Sequence, residues 1–511
     1  MKNPGISVRS AEIISYYAGY VILGTSLLMI IPILTALLSR EWVPMLDFTI
    51  SMGTAASLGL IFVLLGRRTR GQSSSVQWKH GFSVAALSWI MLMFLCAVPY
   101  LLSGHTLSYL DACFDVMSGF TTTGLVLTQD LDHLSNALNM WRHMLTFIGG
   151  QGMVVLALSF IVKESSGGYK FYVGEGKDIA LVPNVKGTAR IIWKISMVYF
   201  LFGTLVLWIA GLRIGLNPAS ALLHGIYIFE SAWSTGGFAP NTQNIMYYHS
   251  FLYEVISMVI FIIGSFNFGL HYAIWQGKRR EFIKNIEIQS FFITSFLASA
   301  LAVVALSNTG LYADAISMFR RVVYNVLSAH TTTGFGSLYA RQFALQWGDA
   351  GILIMVIVML IGGSACSTAG GFKGLRVGIV FKGIISDVKK LLSSERSMRV
   401  YKFHYMKDIV LEDGLVRASA LIIICYMVLF GIGTLLGTFC GYSLADSSFE
   451  AASVTGNVGL SIGITSASMP AVMKIYYILA MYLGRLEFLS VFALIGMAIT
   501  GVKRIWKRKR G

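Results

Sequence analysis

Long apolar stretches alternate with short polar, basic ones along the whole chain. Ile13–Leu38, Pro44–Leu65 and Val472–Thr500 each meet or approach the ~20 residues with which an apolar helix spans a bilayer. The same pattern predicts crossings near 12–38, 43–65, 80–103, 136–162, 188–212, 250–275, 288–308, 350–382 (interrupted), 416–440 and 471–500. Ten crossings place both termini on one side. The first two form a hairpin unlike the rest, and the other eight fall into four pairs. Ile13–Leu38 is too long for the core of a cleavable signal and is followed at once by another apolar run.

Between the two spans of each pair lies a segment of a different kind: a short, partly apolar stretch, then a run of Thr, Gly and Ser. These segments are Tyr109–Thr128, Asn217–Asn241, Asp314–Leu338 and Ala445–Ser468. A short helix that enters the membrane and turns back fits them. Asn217 before Pro218 predicts a capped helix start, and Asp446 is a candidate cap for the fourth helix. The segments align without gaps on an aromatic residue, three residues, Ser, five residues, Gly and a large apolar residue. The anchors are Phe114, Ser118, Gly124 and Leu125; Tyr227, Ser231, Gly237 and Phe238; Tyr324, Ser328, Gly334 and Phe335; Phe449, Ser453, Gly459 and Leu460. Such recurrence predicts internal repeats. Each repeat crosses twice, so all four share one orientation and can be related by an axis along the membrane normal.

The expected architecture is therefore all-α and integral to the membrane: an N-terminal hairpin (1–70), then four parallel repeats of span, pore helix and span around a central pore (71–165, 166–280, 281–400 with its second helix interrupted, and 401–511). The runs at the heart of the segments have the chemistry of a cation filter. They are Thr121, Thr122, Thr123 and Gly124; Ser234, Thr235, Gly236 and Gly237; Thr331, Thr332, Thr333 and Gly334; and Gly456, Asn457, Val458 and Gly459. A dehydrating cation needs oxygens, and backbone carbonyls supply them without net charge. Gly permits the backbone to turn those carbonyls inward, and Thr adds a hydroxyl. The short helix before each run would aim its negative C-terminal end at the ion. A single such run would read as an ordinary loop.

Composition narrows the class. The chain is 55% hydrophobic and 13% charged, with mean hydropathy +0.69, too few charges to cover a soluble surface of this size. The net charge is +16. Its basic residues cluster at Arg67, Arg68 and Arg70, at Lys163–Lys194, at Lys278, Arg279, Arg280 and Lys284, at Lys373–Arg417 and at Lys503–Arg510. With a cytoplasmic N-terminus, 32 of the 40 basic residues fall on the cytoplasmic side, the positive-inside bias that leaves little excess for nucleic acid, and no groove-reading motif accompanies the charge. Five cysteines (Cys96, Cys113, Cys366, Cys425, Cys440) show no CxxC or zinc spacing.

These repeats resemble the Trk/Ktr/HKT superfamily of K⁺ and Na⁺ transporters over nearly the whole chain. The extra N-terminal hairpin makes the chain most similar to the bacterial TrkH/TrkG type. The resemblance implies one key filter Gly per repeat, here Gly124, Gly237, Gly334 and Gly459. All four being Gly is the pattern associated with K⁺; sodium-selective relatives carry Ser in the first repeat. The second and fourth filters depart from Thr-Thr-Thr-Gly, so the fourfold symmetry is approximate.

Two further features match. The span after the third filter contains Gly362, Gly363, Gly370, Gly371, Lys373 and Gly374 within thirteen residues, a composition that does not hold a regular helix. In the family this is an intramembrane gate; a close-packed interface of small residues is the alternative. Arg485, read here as lying mid-span, should face a polar interior. Its family counterpart lies in the pore near the gate, and a structural ion pair is the alternative.

The acids Asp111, Asp115, Glu230, Asp314 and Glu450 lie on or near the short helices, with Asp115 and Glu450 both three before the repeat Ser. They concentrate cations at the mouth, hold the filter by hydrogen bonds or, each taken alone, form a solvated helix end. The resemblance implies K⁺ as the transported ion, a homodimer, and a cytosolic TrkA-like nucleotide-binding regulatory subunit, within a bacterial cytoplasmic membrane. No organic cofactor is expected in this chain, and no GxxxxGK[ST] motif occurs. Rival readings are a Na⁺-conducting or non-selective relative, a polytopic membrane enzyme, for which HExxH and GxSxG are missing, and a secondary transporter, which calls for inverted repeats.

Overall fold

The computed structural model describes residues 8–69, 78–161, 185–307, 309–312, 314–392, 400–488, 491–492, 494–496 and 499. Both termini, Arg70, Lys163, Lys170, Lys177, Arg396, Arg399 and Lys503–Arg510 lie outside the described residues, as do the 70/71 and 165/166 repeat boundaries.

The chain begins with α1 (Val8–Leu28) and α2 (Ile30–Ser39), joined at Met29, then α3 (Trp42–Leu65), α4 (Trp78–Cys96) and α5 (Val98–Leu102). A short helix α6 (Tyr109–Phe120) precedes α7 (Asn136–Ile161). Next come α8 (Val185–Arg213), the short α9 (Pro218–Trp233), α10 (Phe251–Gly264), α11 (Phe268–Trp275), the one-turn α12 (Glu281–Lys284) and α13 (Ile286–Ser307). The third short helix starts at α14 (Ala315–Met318), passes through a π turn at Phe319–Val323 and ends as α15 (Tyr324–His330). The remainder is α16 (Ala340–Gln346), α17 (Gly348–Ile361), α18 (Gly374–Leu391), a hairpin of β1 (Lys402–Tyr405) and β2 (Lys407–Val410), α19 (Asp413–Phe439), the short α20 (Leu444–Thr455) and α21 (Ala471–Arg485).

Among the described residues, six helical stretches are long and apolar enough to cross a membrane: Ala11–Ser39, Trp42–Leu65, Ser83–Leu102, Ala189–Arg213, Ile286–Ser307 and Asp413–Phe439. Their outward faces carry large apolar side chains such as Leu38, Phe296 and Phe439, as lipid contact requires.

The contacts divide the chain into two compact units. One comprises Met1–Val116, Thr128–Arg142 and Leu486–Gly511. There α1 packs on α3 and α4. The Glu41 carboxylate accepts from the backbone N–H groups of Asn136 and Ala137 at 2.8 and 3.1 Å, capping the free donors that start α7. The other unit, Met117–Leu127 and His143–Arg485, contains all four Thr/Gly/Ser runs, the glycine-rich break and Arg485. Its core is aromatic, built on Phe229, Trp233, Phe261, Tyr324 and their neighbours.

Four local expectations are corrected. The span at 250–275 is not straight: α10 and α11 meet at 95°, because α10 stops at Gly264 with Ser265 as its C-cap and Asn267 caps the next helix, its Oδ1 accepting from Gly269 N at 2.6 Å. The fold is not purely helical. Lys402-Phe-His-Tyr405 alternates exposed and buried residues, the period of a strand, and Met406 takes φ 57° to turn back into β2. Arg485 is the last residue of α21, not its middle, and Glu487 lies in the turn that follows, at φ 52°. Finally, α20 is capped by the Ser443 hydroxyl, which accepts from Asp446 N at 3.1 Å; Asp446 lies inside the first turn. The Asn217 cap stands as expected, accepting from Ala219 N at 3.1 Å.

Candidate functional site

Each short helix ends at its Thr/Gly/Ser run in the same way. The third residue of the run donates its N–H to the carbonyl of the repeat serine: Thr123 to Ser118, Gly236 to Ser231, Thr333 to Ser328 and Val458 to Ser453, at 2.7–2.8 Å. The second residue is left-handed in all four, with φ 52° at Thr122, 50° at Thr235, 54° at Thr332 and 54° at Asn457. The fourth is Gly at positive φ throughout: 93° at Gly124, 69° at Gly237, 78° at Gly334 and 92° at Gly459. A non-Gly residue is strained at such φ and is kept there only by surrounding packing. All four position-two side chains and their neighbours are buried, so packing is available to hold them. Alternating the hand of successive residues turns successive carbonyls toward the same side of an extended segment.

The four segments close into a ring. A β-carbon placed on Gly124 would collide with the carbonyl oxygen of Gly236; on Gly237, with that of Thr333; on Gly334, with that of Val458; on Gly459, with that of Thr123. Each glycine thus abuts the next repeat in cyclic order, and the fourth returns to the first. The result is a ring of uncharged backbone oxygens with no room for side chains, suited to an ion that exchanges water for carbonyls. Thr hydroxyls brace it from behind: Thr121 Oγ1 lies 2.7 Å from Thr123 Oγ1, and Thr331 Oγ1 2.8 Å from Thr333 Oγ1. In the fourth segment Asn457 takes that role, its Nδ2 donating to Thr123 Oγ1 at 3.0 Å and to the Met481 carbonyl at 2.9 Å.

The glycine-rich break between α17 and α18 lies directly against the position-two ends of these segments. Gly370 N donates to Thr332 Oγ1 at 2.6 Å, Thr235 Oγ1 to Thr368 Oγ1 at 3.4 Å, and Thr122 Oγ1 reaches the Thr368 carbonyl at 3.5 Å. A β-carbon on Gly370 would strike the Gly456 carbonyl. Gly362 and Gly371 (φ 73° and 72°) approach so closely that a β-carbon on Gly371 would lie 2.7 Å from the Gly362 Cα, and Gly363 is crowded by Ala369. Lys373, 5% exposed and at φ 73°, folds its ammonium back onto the Ala369 carbonyl. Arg485, 4% exposed, donates its Nη1 to the Thr368 carbonyl. The residues singled out from sequence for the break thus gather around one stretch, which meets the ring through Thr368 and Gly370.

Sequence reasoning missed the hub. Thr368 Oγ1 donates to the carbonyls of Trp233 and Gly264 at 3.0 and 2.9 Å, tying the break to the second short helix and to the α10–α11 bend. That bend cradles the break throughout: Ser364 N donates to the Ser265 carbonyl at 3.1 Å, Phe268 N to Cys366 at 3.2 Å, and Asn267 Nδ2 to Ala365 at 2.8 Å. The run Ser265-Phe-Asn-Phe-Gly269, a cap signature inside an apolar stretch, is the signal that could have revealed it.

The acids divide by role. Asp115 Oδ2 accepts from Thr128 N at 2.9 Å and from the Thr128 hydroxyl. Glu450 accepts from Ile462 N, Ile464 N, Thr465 N and the hydroxyls of Ser461 and Thr465. In the third repeat the same register holds Asn325, which accepts from Ser337 N at 3.3 Å and donates to Ser337 Oγ at 2.7 Å. These side chains clamp the chain that leaves each ring segment. The second repeat has Ile228 there; Asn244 substitutes, donating to the Gly237 carbonyl and accepting from Gly336 N, both at 3.2 Å. Asp111 and Glu230 are also buried. Asp314 instead caps α14 in an exposed capping box with Ser317, and those hydrogen bonds hold its carboxyl below the usual range.

Residues 54–499 match the sequence profile of the TrkH family, described as a cation transport protein. The chain belongs to this family. TrkH-family relatives include an uncharacterised cation transporter of Methanocaldococcus jannaschii, 26% identical over 453 residues, covering 88% of this chain and 90% of that protein. The Trk system potassium uptake protein TrkH of Halomonas elongata is 28% identical over 505 residues, covering 95% and 98%. The crystal structure of the potassium transporter TrkH from Vibrio parahaemolyticus shares the fold, with a TM-score of 0.81 over 96% of this chain and 98% of that one at 24% identity. This TrkH-family chain is a multi-pass membrane protein of a transporter family, not an enzyme.

Proposed function

We propose that this protein takes up K⁺ across a bacterial cytoplasmic membrane. The ion passes through the ring formed by Thr121–Gly124, Ser234–Gly237, Thr331–Gly334 and Gly456–Gly459. The observation that carries this reading is the closed cyclic contact of four glycines with four carbonyls, repeated with the same signs of φ. A neutral carbonyl ring binds a monovalent cation without trapping it. Gly362–Gly374, with Lys373 and Arg485, is the gate: it occupies the ground next to position two of three segments, where an ion leaving the ring must pass. The buried positive charges of Lys373 and Arg485 raise the barrier for cations there.

In this reading ten crossings form an N-terminal hairpin and four repeats of span, pore helix and span, bounded near 70, 165, 280 and 400, with both termini cytoplasmic. The protein works as a homodimer in the lipid bilayer, with a TrkA-like cytosolic nucleotide-binding subunit. Relatives named as components of a Trk system support a multi-subunit assembly.

The test is flux into liposomes bearing the purified protein, comparing K⁺, Rb⁺, Na⁺ and Li⁺, beside Gly459→Ser. K⁺ and Rb⁺ well above Na⁺, with selectivity lost on the substitution, is the expected result. Equal Na⁺ flux keeps the pathway and rejects K⁺ in favour of a non-selective monovalent cation transporter. If no cation moves even after the break at 364–370 is shortened, the conduction reading is wrong.

A further inference from the structure

The β1–β2 hairpin is the one piece of sheet among the described residues, and it does not stand apart from the membrane helices. Phe403 and Tyr405 turn inward onto Ile286, Leu375, Ile379, Leu415 and Ala365, a residue of the glycine-rich break. Two chains of hydrogen bonds run from the hairpin turn to that same Ala365. In the first, Asn267 Nδ2 donates both to the Tyr405 hydroxyl oxygen at 2.9 Å and to the Ala365 carbonyl at 2.8 Å. In the second, Asn285 Nδ2 approaches Met406 Sδ at 3.8 Å, Asn285 Oδ1 accepts from Glu287 N at 2.9 Å, and Glu287 Oε1 accepts from Ala365 N at 2.5 Å. Both polar backbone groups of Ala365 are thus held by side chains: Asn267 bonds the hairpin directly at Tyr405, and Glu287 is linked to Met406 through its own backbone N–H and Asn285.

Asn267 has little freedom to do otherwise. Its Oδ1 is used by Gly269 N at the start of α11, which fixes the amide plane and points Nδ2 at its two acceptors. The Tyr405 hydroxyl, buried with its residue, is one of the acceptors that fix the Asn267 amide. The neighbouring rung of the hairpin is fastened separately, by His404 between Glu281 of α12 and Asp408 of β2.

We propose that Tyr405 and Asn267 are positioning residues for the gate: together they hold the Ala365 stretch of the break in the closed arrangement, so that displacing the hairpin releases it. Asn285, on the second chain, acts in the same sense. This rests on reading Gly362–Gly374 as a gate and adds how a displacement at the basic, extramembrane side of the molecule would reach it. A pull on β1 withdraws the Tyr405 hydroxyl, Asn267 loses one of the bonds that brace its amide, and its hold on the Ala365 carbonyl weakens.

The experiment compares Rb⁺ efflux from liposomes for four proteins: the full chain, Tyr405→Phe, a variant with residues 364–370 removed, and the two changes combined. Tyr405→Phe keeps the ring packed and removes only the hydroxyl. Efflux about fivefold above the unaltered chain is expected, the change in closed-to-open ratio that one net buried hydrogen bond produces. The Rb⁺/Na⁺ ratio stays unchanged, and the substitution adds nothing once the break is shortened. That last result separates a gate-positioning role from general loosening of the fold. Amide exchange at 364–366 should quicken in Tyr405→Phe. Asn285→Ala is expected to act in the same direction and serves if Tyr405→Phe does not yield folded protein. If shortening raises efflux and neither substitution does, the positioning role is rejected and the gate reading survives. If either substitution acts equally with the break shortened, it works elsewhere and the role is again rejected. If shortening itself leaves efflux unchanged, the gate reading falls and takes this inference with it.

Discussion

Arg485 Nη1 donates to the carbonyl of Thr368, joining the last residue of α21 to the centre of the glycine-rich break. Thr368 also hydrogen-bonds Trp233 and Gly264, so one threonine links a short helix, a bent helix and a buried cation. Replacing Arg485 with Gln removes a charge from the proposed exit and a charged donor from Thr368. A hydrogen bond to a charged group is worth ~1.5–3 kcal/mol, so efflux should rise about tenfold or more with the Rb⁺/Na⁺ ratio unchanged. Flux equal to that of the unaltered chain would show that Arg485 only fills space.

The clamp residues predict the opposite split. Glu450 is fully buried and collects five donors from residues 461–465. Glu450→Gln keeps the shape but replaces an accepting oxygen by a donor, leaving buried N–H groups unpaired at about 1–3 kcal/mol each. Thermal unfolding should shift down and the Rb⁺/Na⁺ ratio should fall, with total flux changed less than the ratio. An unchanged ratio in folded protein would confine Glu450 to stability. Asn244→Ala, in the repeat where Ile228 occupies the clamp register, should lower the ratio in the same way.

Position two of the third segment supplies a third test. Thr332 Oγ1 accepts from Gly370 N at 2.6 Å. Thr332→Val removes that acceptor while keeping the branched shape, and Thr332→Ser keeps the acceptor. Efflux is expected to rise about fivefold for Val, the equivalent of one net hydrogen bond, and to stay near the original for Ser. Equal behaviour of the two would mean that the break does not rely on this contact.

His404 makes the hairpin's attachment depend on pH. Partial burial pushes its imidazole down, but hydrogen bonds to Asp408 and Glu281 outweigh this and hold it above the ordinary value. Asp408 is held below the ordinary carboxylate value by the same contact, with Lys402 and Lys284 also nearby. The His404 contribution is complete below the usual imidazole pKa of ~6.5 and is lost as pH rises through the raised folded value. The Asp408 contribution is present above the usual carboxylate range and is lost as pH falls through its depressed value. Protection of the β1–β2 amides in hydrogen exchange should therefore be greatest between these limits and decline on the alkaline side. In His404→Gln that alkaline decline should vanish; its persistence would assign the effect to another group.

The four short helices and their glycine-ended segments were legible because lateral register survives in sequence: an aromatic residue, a serine and a glycine at fixed spacing name positions that the backbone reuses four times. The break at Gly362–Gly374 was legible because five glycines cannot hold a helix. What escaped was everything hydropathy averages away. A bend at Ser265–Asn267 leaves the mean apolarity of 251–275 almost untouched, so two helices at 95° read as one crossing. The hairpin was lost because two strands of four residues lie in a stretch valued only for its lysines. The end of α21 at Arg485 was hidden by apolar residues that continue to Thr500. The clamp acids were visible in register, but whether they face ions or backbone depends on residues 10 to 15 positions later, which no local pattern specifies.

In an assembly of four identical chains, any change to a ring glycine is made four times at once. Here Gly124, Gly237, Gly334 and Gly459 are encoded separately, and each meets the carbonyl of a different residue: one glycine, two threonines and one valine. The quarters can therefore drift apart one at a time, as the exchange of Thr for Asn457 and of Thr for Gly456 already shows. A graded series from one altered quarter to four becomes possible within a single polypeptide, and the ring's tolerance for asymmetry can be read directly as a dose response.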